Sequence, residues 1–523
     1  MTIRVDNLRL IYTTGGERPV RALDEVSFQI EEGERVAIIG RSGSGKTSLL
    51  RILAGLIEPT DGEVVVAGHD LAASRPERDF YASVGVMFQD YGLVRQLPAI
   101  TNVLCGTLHG EAATSHMLDF SNEQREHAIG LLDELGLKQR AKTRSAKLSG
   151  GEQQRVGLCR LLMQSPEVML LDEPIASLDV HWAVIALGKL EASPKTTSLV
   201  ILHDLEMARK WATRVLLIDK GKLAFDGDPE EGCALLESSK DGESDASRHE
   251  PSRQAAEETQ TSHAPREEDA PSSRAAFYVV GLVATVALYI WALKGLKLSA
   301  SKLFGSMDNA KNFLSRMLPP DPSVTGTVFD ALLETIQMAL VGTTMAAIFA
   351  LPISIAAARN TSPLPLRIIA RFILNFMRTI PSIIWGLFFV AIVGLGPFPG
   401  VLALTFYATG YLGKFFYEGI ESIDLKPLVA LRTTGASRLH VFRYGVFPQV
   451  LPLLTSYTIY MFEYNVRAAS ILGVVGAGGV GFYLYSYINN FTYTKAATTL
   501  LMLLALVTVI DTASSRIRAK FNI

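Results

Sequence analysis

Gly40-Arg-Ser-Gly-Ser-Gly-Lys-Thr47 is the stretch that decides how the first half of this 523-residue chain folds. It follows Arg35-Val-Ala-Ile-Ile39, an apolar run that reads as a short buried strand, and it precedes a helical pattern over 48–56. Strand, glycine loop and helix is the context in which GxxxxGK[ST] cradles a nucleotide. Glycines let backbone N–H groups approach phosphate oxygens, and the helix N-terminus adds positive potential. Lys46 is placed to reach the β- and γ-phosphates, and the Thr47 hydroxyl to ligate Mg²⁺. A glycine turn carrying a solvated lysine is the plainer reading, and the flanking strand and helix argue against it. Gly40, Arg41, Ser42, Gly43, Ser44, Gly45, Lys46 and Thr47 are therefore expected to hold ATP.

A second apolar strand, Val168-Met-Leu-Leu-Leu-Asp-Glu-Pro174, ends in two acids. Asp172 is placed to hold Mg²⁺ and Glu173 to orient and polarise an attacking water. Upstream of this strand stands Leu148-Ser-Gly-Gly-Glu-Gln-Gln-Arg155. That octapeptide resembles the signature of ATP-binding-cassette (ABC) ATPases, in which Ser149, Gly150, Gly151 and Glu152 would meet a nucleotide held by another copy.

The resemblance to ABC ATPases covers about residues 1–236 and implies roles for further positions. Tyr12 resembles the aromatic that stacks on adenine. Gln89, in Val86-Met-Phe-Gln-Asp90, resembles the glutamine that contacts Mg²⁺ and water and couples to a membrane domain. Ser177-Leu-Asp179 looks like the loop that crosses a dimer interface, and His203 like the histidine at the γ-phosphate. One P-loop and one signature per chain imply that two chains, or a second ATPase subunit, complete the composite sites.

Charge is almost balanced, with 50 Lys+Arg against 52 Asp+Glu, so no nucleic-acid partner is expected. No basic n-region with an apolar h-region opens the chain, so no cleaved signal is read. Cys105, Cys159 and Cys233 lack metal or disulfide spacing and suit reduced thiols. Residues 238–274 contain no Val, Ile, Leu, Met, Phe, Tyr or Trp. Such a segment cannot bury enough apolar surface to offset its ordering entropy, and it reads as a disordered linker spanning about 33 Å. It separates an expected ATPase domain at 1–237 from an expected membrane domain at 275–523. Apolar runs at 277–293, 335–358, 369–395, 397–413, 444–472 and 496–510 predict about six spans in lipid, with five or seven as alternatives. An even count returns the C-terminus to the cytosol with the ATPase, and most arginines and lysines then fall on that side.

The segment 421–448 contains Ala430-Leu-Arg-Thr-Thr-Gly435-Ala and Gly445-Val-Phe-Pro448. It resembles the coupling motif of type I ABC importer permeases, with Gly435 and Pro448 at the motif's spacing. Val429 stands where that motif has the Glu of a salt bridge to the ATPase. A short amphipathic helix ended by Gly and Pro is expected here, in a groove beside Gln89. Leu351-Pro-Ile-Ser-Ile-Ala-Ala-Ala-Arg-Asn360, Met377-Arg-Thr-Ile-Pro381 and Gly394-Leu-Gly-Pro-Phe-Pro-Gly400 are similar to phosphonate-import permeases. So is the run from Phe462 to Gly479. Charges inside spans are functional candidates. Arg378 or Arg467 could give an oxyanion a transient partner, whereas Glu463 and Arg467, at i and i+4, also suit a neutralised pair that locks the bundle. Gly473–Gly481 suits a turn or close helix packing.

The expected fold is thus an α/β P-loop ABC ATPase domain joined to an all-α polytopic membrane domain. The resemblance implies an ATP- and Mg²⁺-dependent importer of a phosphonate or related oxyanion in the cytoplasmic membrane. A second identical chain, a separate solute-binding protein and membrane lipid would be its partners. An importer of another small solute, an exporter and a non-transporting membrane-coupled ATPase are the rivals. Domain order and the 430–448 motif disfavour the exporter.

Overall fold

The computed structural model describes residues 2–13, 19–73, 76–109, 120–191, 196–244, 272–296 and 307–521. The first half carries strands β1 (Ile3–Tyr12), β2 (Val20–Ile30), β3 (Arg35–Ile39), β4 (Asp61–Val66) and β5 (His69–Asp70), then β6 (Val84–Met87), β7 (Val168–Asp172), β8 (Thr197–Ile201), β9 (Arg214–Asp219) and β10 (Lys222–Gly227). β6, β7 and β8 are buried at every position, as strands covered on both faces must be. They pair in parallel with β3 and β9 in the order β10-β9-β3-β8-β7-β6, with β10 antiparallel at the edge. β1 instead buries Ile3, Val5, Leu8 and Leu10, largely on one face, and sits in a separate antiparallel sheet, β2-β1-β4-β5. β3 is flanked by β9 and β8, and β8 by β7, so loops leaving β3, β7 and β8 gather at one sheet edge. Ligands in such sheets bind beyond the carboxyl ends of the strands.

Cys105, Cys159 and Cys233 are free and buried. Burial pushes the Cys105 thiol up to about 12 and the Cys159 thiol up as well, so neither supplies a thiolate.

Helical structure extends into both ends of the expected linker. Helix Pro229–Ser244 runs past position 238, and the next helix, Ser272–Gly295, starts before 275. Residues 245–271, the bulk of the linker, lie outside the described residues.

The second half is helical. Helix Thr325–Ala357 begins ten residues before the expected 335 and is about 50 Å long. Helix Pro397–Glu421 packs against Thr325–Ala357, Leu364–Thr379, Ser382–Val393 and Phe447–Leu472. Small residues permit this: a Cβ on Gly413 would stand 2.3 Å from Leu374, and one on Gly410 would stand 2.7 Å from the Arg378 backbone nitrogen.

Among the described residues, three helices are long and apolar enough to cross a membrane: Tyr278–Gly295, Pro322–Ala357 and Tyr493–Ala519. Counting each bent pair as one span raises the number to five, within the expected range of five to seven. The expected span 369–395 is one such pair, Leu364–Thr379 and Ser382–Val393, bent by 88°. Pro381, at the cap of the second helix, has no N–H with which to continue the first. The expected span 397–413 lies in a helix of 25 residues, long enough to cross, that falls short on apolarity because it is an interior element carrying Lys414, Glu418 and Glu421. The glycine run after Leu472 forms a turn with positive φ at Gly476, Gly478 and Gly479. Glu334 Oε1 accepts from the Gly479 N–H at 3.2 Å and Thr335 Oγ1 from the Val480 N–H at 2.9 Å.

The halves share an apolar core. Leu93, Val103 and Leu104 from the first half cluster with Leu428, Leu431 and Tyr444 from the second. The 421–448 segment therefore enters the ATPase-like half as a packed element. It contains helix Lys426–Arg432, a turn at Gly435 (φ +73) and a π-helical stretch Val441–Val446. Pro448 does not end the short helix as expected; it lies in the first turn of helix Phe447–Leu472.

Candidate functional site

The Gly40–Thr47 loop leaves β3 and enters helix Lys46–Leu53 through Gly45, which has φ +105. A Cβ on Gly40 would stand 2.1 Å from the Ile218 carbonyl oxygen, and one on Gly45 would stand 2.5 Å from that of Ala22. These glycines let the loop curl against neighbouring backbone. Lys46 Nζ donates to the carbonyl oxygens of Gly40 and Arg41, both at 2.8 Å, and so spans the loop's interior. Burial lowers the Lys46 pKa. The buried Ser44 hydroxyl has no hydrogen-bond partner, an orphan suited to a phosphate oxygen. Tyr12, at the end of β1, is 38% exposed and places its hydroxyl 3.3 Å from that of Ser48.

Thr47 Oγ1 lies 3.5 Å from Asp172 Oδ1 at the end of β7. Burial raises the Asp172 pKa. A hydroxyl and a carboxylate facing one another beside a phosphate loop fit a Mg²⁺ ion, which prefers one or two protein oxygens plus phosphates and water.

Beyond Asp172, Glu173 adopts φ +52, an uncommon backbone for a residue with a side chain. Its Oε1 is 2.6 Å from His203 Nε2, and its Oε2 accepts from Gln89 Nε2 at 3.3 Å. Three residues 84 and 30 positions apart in sequence thus meet at one carboxylate. The arrangement can hold a water against Glu173 while leaving His203 half-exposed toward an incoming phosphate.

Ser149 caps helix Gly150–Gln164. Its side chain accepts from the Glu152 N–H, and Glu152 Oε2 accepts from the Ser149 N–H at 2.8 Å. Glu152 is thus engaged in a capping box. Gly151 leaves room for the neighbouring loop, since a Cβ there would stand 2.8 Å from the Ser177 carbonyl oxygen.

On the other side of Gln89 lies the 421–448 segment. A cavity of about 340 Å³ is lined by Arg51, Phe88, Gln89, Asp172, Leu425 and Val429, so Val429 sits where the motif's Glu would. The interface ion pair is made from another position, between Lys426 and Asp90. Arg78 Nε donates to the Gly435 carbonyl oxygen at 3.0 Å, and a Cβ on Gly435 would stand 2.7 Å from His109 Cβ. Sequence reasoning missed Asp90, Lys426, Arg78 and His109, because charged or polar residues on a loop carry no partner information until the halves are docked.

Of the three candidates in the helical bundle, Glu463 and Arg467 meet, and Arg378 is engaged by Asn375. Arg378 lies in the last turn of Leu364–Thr379, donating to Asn375 Oδ1 at 3.1 Å. Glu463 is 5% exposed and pairs with Arg467 at 2.6 Å, as the spacing suggested. It also pairs with Arg518 at 3.0 Å, which the sequence did not reveal because Arg518 comes from the last helix.

Both halves of the chain resemble known proteins. The ABC transporter family profile matches residues 23–176, and that of the binding-protein-dependent transport system inner membrane component matches residues 350–522. The phosphite transport system permease protein PtxC of Stutzerimonas stutzeri is 40% identical over 245 residues, 47% of this chain and 87% of that protein. The phosphonates import ATP-binding protein PhnC of Treponema denticola is 39% identical over 236 residues, 44% of this chain and 91% of that protein. PhnC of Trichormus variabilis is 40% identical over 228 residues, 43% of this chain and 92% of that protein.

Proposed function

The chain belongs to the phosphonate-import family of ABC transporters, with ATPase and permease in one polypeptide, and from that premise we propose how it works. Residues 1–244 form the cytosolic ATPase and 272–523 the permease of the cytoplasmic membrane. Two identical chains assemble, because each carries one P-loop and one signature, and a composite site takes Gly40–Thr47, Asp172, Glu173 and His203 from one chain and Ser149–Gly151 from the other. A separate solute-binding protein delivers a phosphonate or related oxyanion such as phosphite or phosphate.

In hydrolysis, Lys46, the P-loop N–H groups and the helix N-terminus hold the phosphates. Mg²⁺ held by Thr47 and Asp172 would neutralise phosphate charge. Glu173 orients and polarises the water, His203 fixes the Glu173 carboxylate, and Gln89 holds its second oxygen. The observation that carries the reading is the seating of the Lys426–Arg432 helix against the loop that bears Gln89. It joins the hydrolytic cluster to the permease through a single loop. Vesicles loaded with ATP and given phosphite or methylphosphonate with the cognate binding protein should take up the anion. Glu173→Gln should keep ATP binding and abolish uptake; uptake at the wild-type rate would refute the assignment of Glu173. Binding-protein-independent hydrolysis with no uptake would favour the non-transporting reading instead.

A further inference from the structure

Helix Gly150–Gln164 contains two polar side chains that are almost completely buried, Gln154 at 0% and Arg160 at 2% exposure. Each holds the carbonyl of a residue whose backbone is in the left-handed region. Gln154 Nε2 donates to the Glu173 carbonyl oxygen at 2.9 Å, where φ is +52. Arg160 donates to the carbonyl oxygens of Tyr91 and Gly92, both at 2.7 Å, where φ is +59 and +54. Among the described residues no carboxylate pairs with Arg160, and burial lowers its pKa to about 10. A buried guanidinium bound only to carbonyls is costly unless its geometry is fully used.

The two ends of this brace are joined a second time. The Tyr91 hydroxyl lies 2.7 Å from that of Ser177, and the Ser177 N–H donates to Gln154 Oε1 at 2.9 Å. A closed circuit therefore runs from Tyr91 to Ser177, Gln154, the signature helix, Arg160 and back to Tyr91. Glu173, the hydrolytic carboxylate, hangs from one arm. Gly92, which touches the permease, hangs from the other.

We propose that Tyr91 is a positioning residue for ATP hydrolysis: its hydroxyl ties the 177–179 loop to the segment that meets the permease. With Gln154 and Arg160 it makes the signature helix, the Glu173 peptide and the permease contact move as one body. This rests on the ATPase reading of Glu173. Without the Tyr91 bond, Ser177 keeps only the bond from its N–H to Gln154, and Glu173 loses its register with the water when the permease moves.

The test is steady-state MgATP hydrolysis by the full chain in lipid nanodiscs, comparing Tyr91→Phe, Ser177→Ala and the double variant. Loss of one hydrogen bond in the catalytic arrangement should lower kcat about fivefold in each single variant, with KM for MgATP within about twofold. The double variant should be no slower than either single, because one interaction is removed in all three. Melting temperature should stay unchanged, which separates positioning from loss of fold. Wild-type kcat in Tyr91→Phe, losses that multiply in the double variant, or a kcat loss that tracks melting temperature would overturn the proposal. Glu173→Gln run alongside tests the ATPase reading separately, since wild-type hydrolysis there would defeat that reading whatever Tyr91→Phe does.

Discussion

Gly92 and Ala430 meet at a distance that only glycine allows: a Cβ on Gly92 would stand 2.3 Å from the Ala430 methyl. Gly92 follows Gln89 on the ATPase loop, and Ala430 lies on the short helix of the permease segment. Gly92 also has φ +54, so a side chain there is strained as well as crowded. In the proposed cycle, the motion that links hydrolysis to the membrane crosses this contact, with Leu428 and Leu431 packed behind it.

Gly92→Ala is therefore expected to wedge the permease helix away from the loop. Overpacking of this kind costs about 1–3 kcal/mol, and if the coupled state bears about 1.4 kcal/mol of it, substrate-stimulated hydrolysis falls about tenfold. ATP affinity, set at the P-loop, should stay within about twofold. Adding Ala430→Gly restores the space and should recover part of the loss. Stimulated ATPase and uptake assays on both variants check this, and full coupling in Gly92→Ala would contradict it.

The Asp90–Lys426 pair sets the polarity of the same interface, with the acid on the ATPase and the base on the permease. Both side chains are mostly exposed, at 63% and 65%, so either alanine substitution alone should change little. A like-charge pair should do more. Asp90→Lys is expected to lower stimulated hydrolysis, most strongly at low salt, and Asp90→Lys with Lys426→Asp to restore it. Equal loss in the single and the swapped pair would mean the two charges do not meet.

His109 gives the interface a pH dependence. Its ring accepts or donates at the Gly106 carbonyl oxygen, its Cβ lies under Gly435, and burial, then nearby Arg78, holds its pKa below the ordinary 6.5. Between that lowered value and 6.5 the unfolded chain binds more protons than the folded one. Stability should therefore be full above about pH 6.5 and fall as pH drops through this window. Melting curves of the detergent-solubilised chain should show the fall, and His109→Gln should flatten part of it.

The P-loop, the Asp-Glu strand end and their neighbours were legible because their chemistry is local: Lys46 and Thr47 sit in a glycine loop at fixed spacing, between elements whose apolar periodicity is unmistakable. Glu173, Gln89 and His203 could be named from order along the chain, but their convergence on one carboxylate needed the parallel sheet. Arg160 was illegible, since an arginine among Leu158, Cys159 and Leu161 reads as a surface residue until burial shows otherwise. The exact number of spans was not legible, for a physical reason. Helix Pro397–Glu421 is surrounded by protein and need not be as apolar as a helix facing lipid, and Pro381 divides what reads as one apolar run.

Glu463 separates two readings of the buried charges in the bundle. Arg518 holds its Oε2 at 3.0 Å while Arg467 holds its Oε1 at 2.6 Å, and Arg467 remains 47% exposed. Removing Arg467 therefore leaves Glu463 neutralised, whereas removing Glu463 leaves two cations without their shared anion. Glu463→Gln is expected to destabilise the bundle by about 3 kcal/mol, read as a lowered melting temperature. Arg467→Ala should melt close to wild type. If Arg467 also serves as a transient partner for a translocating oxyanion, Arg467→Ala lowers phosphite or methylphosphonate uptake by about tenfold or more at that unchanged melting temperature, and Arg467→Lys recovers part of it. Wild-type uptake in Arg467→Ala would leave the pair as a lock on the bundle and remove Arg467 from the path.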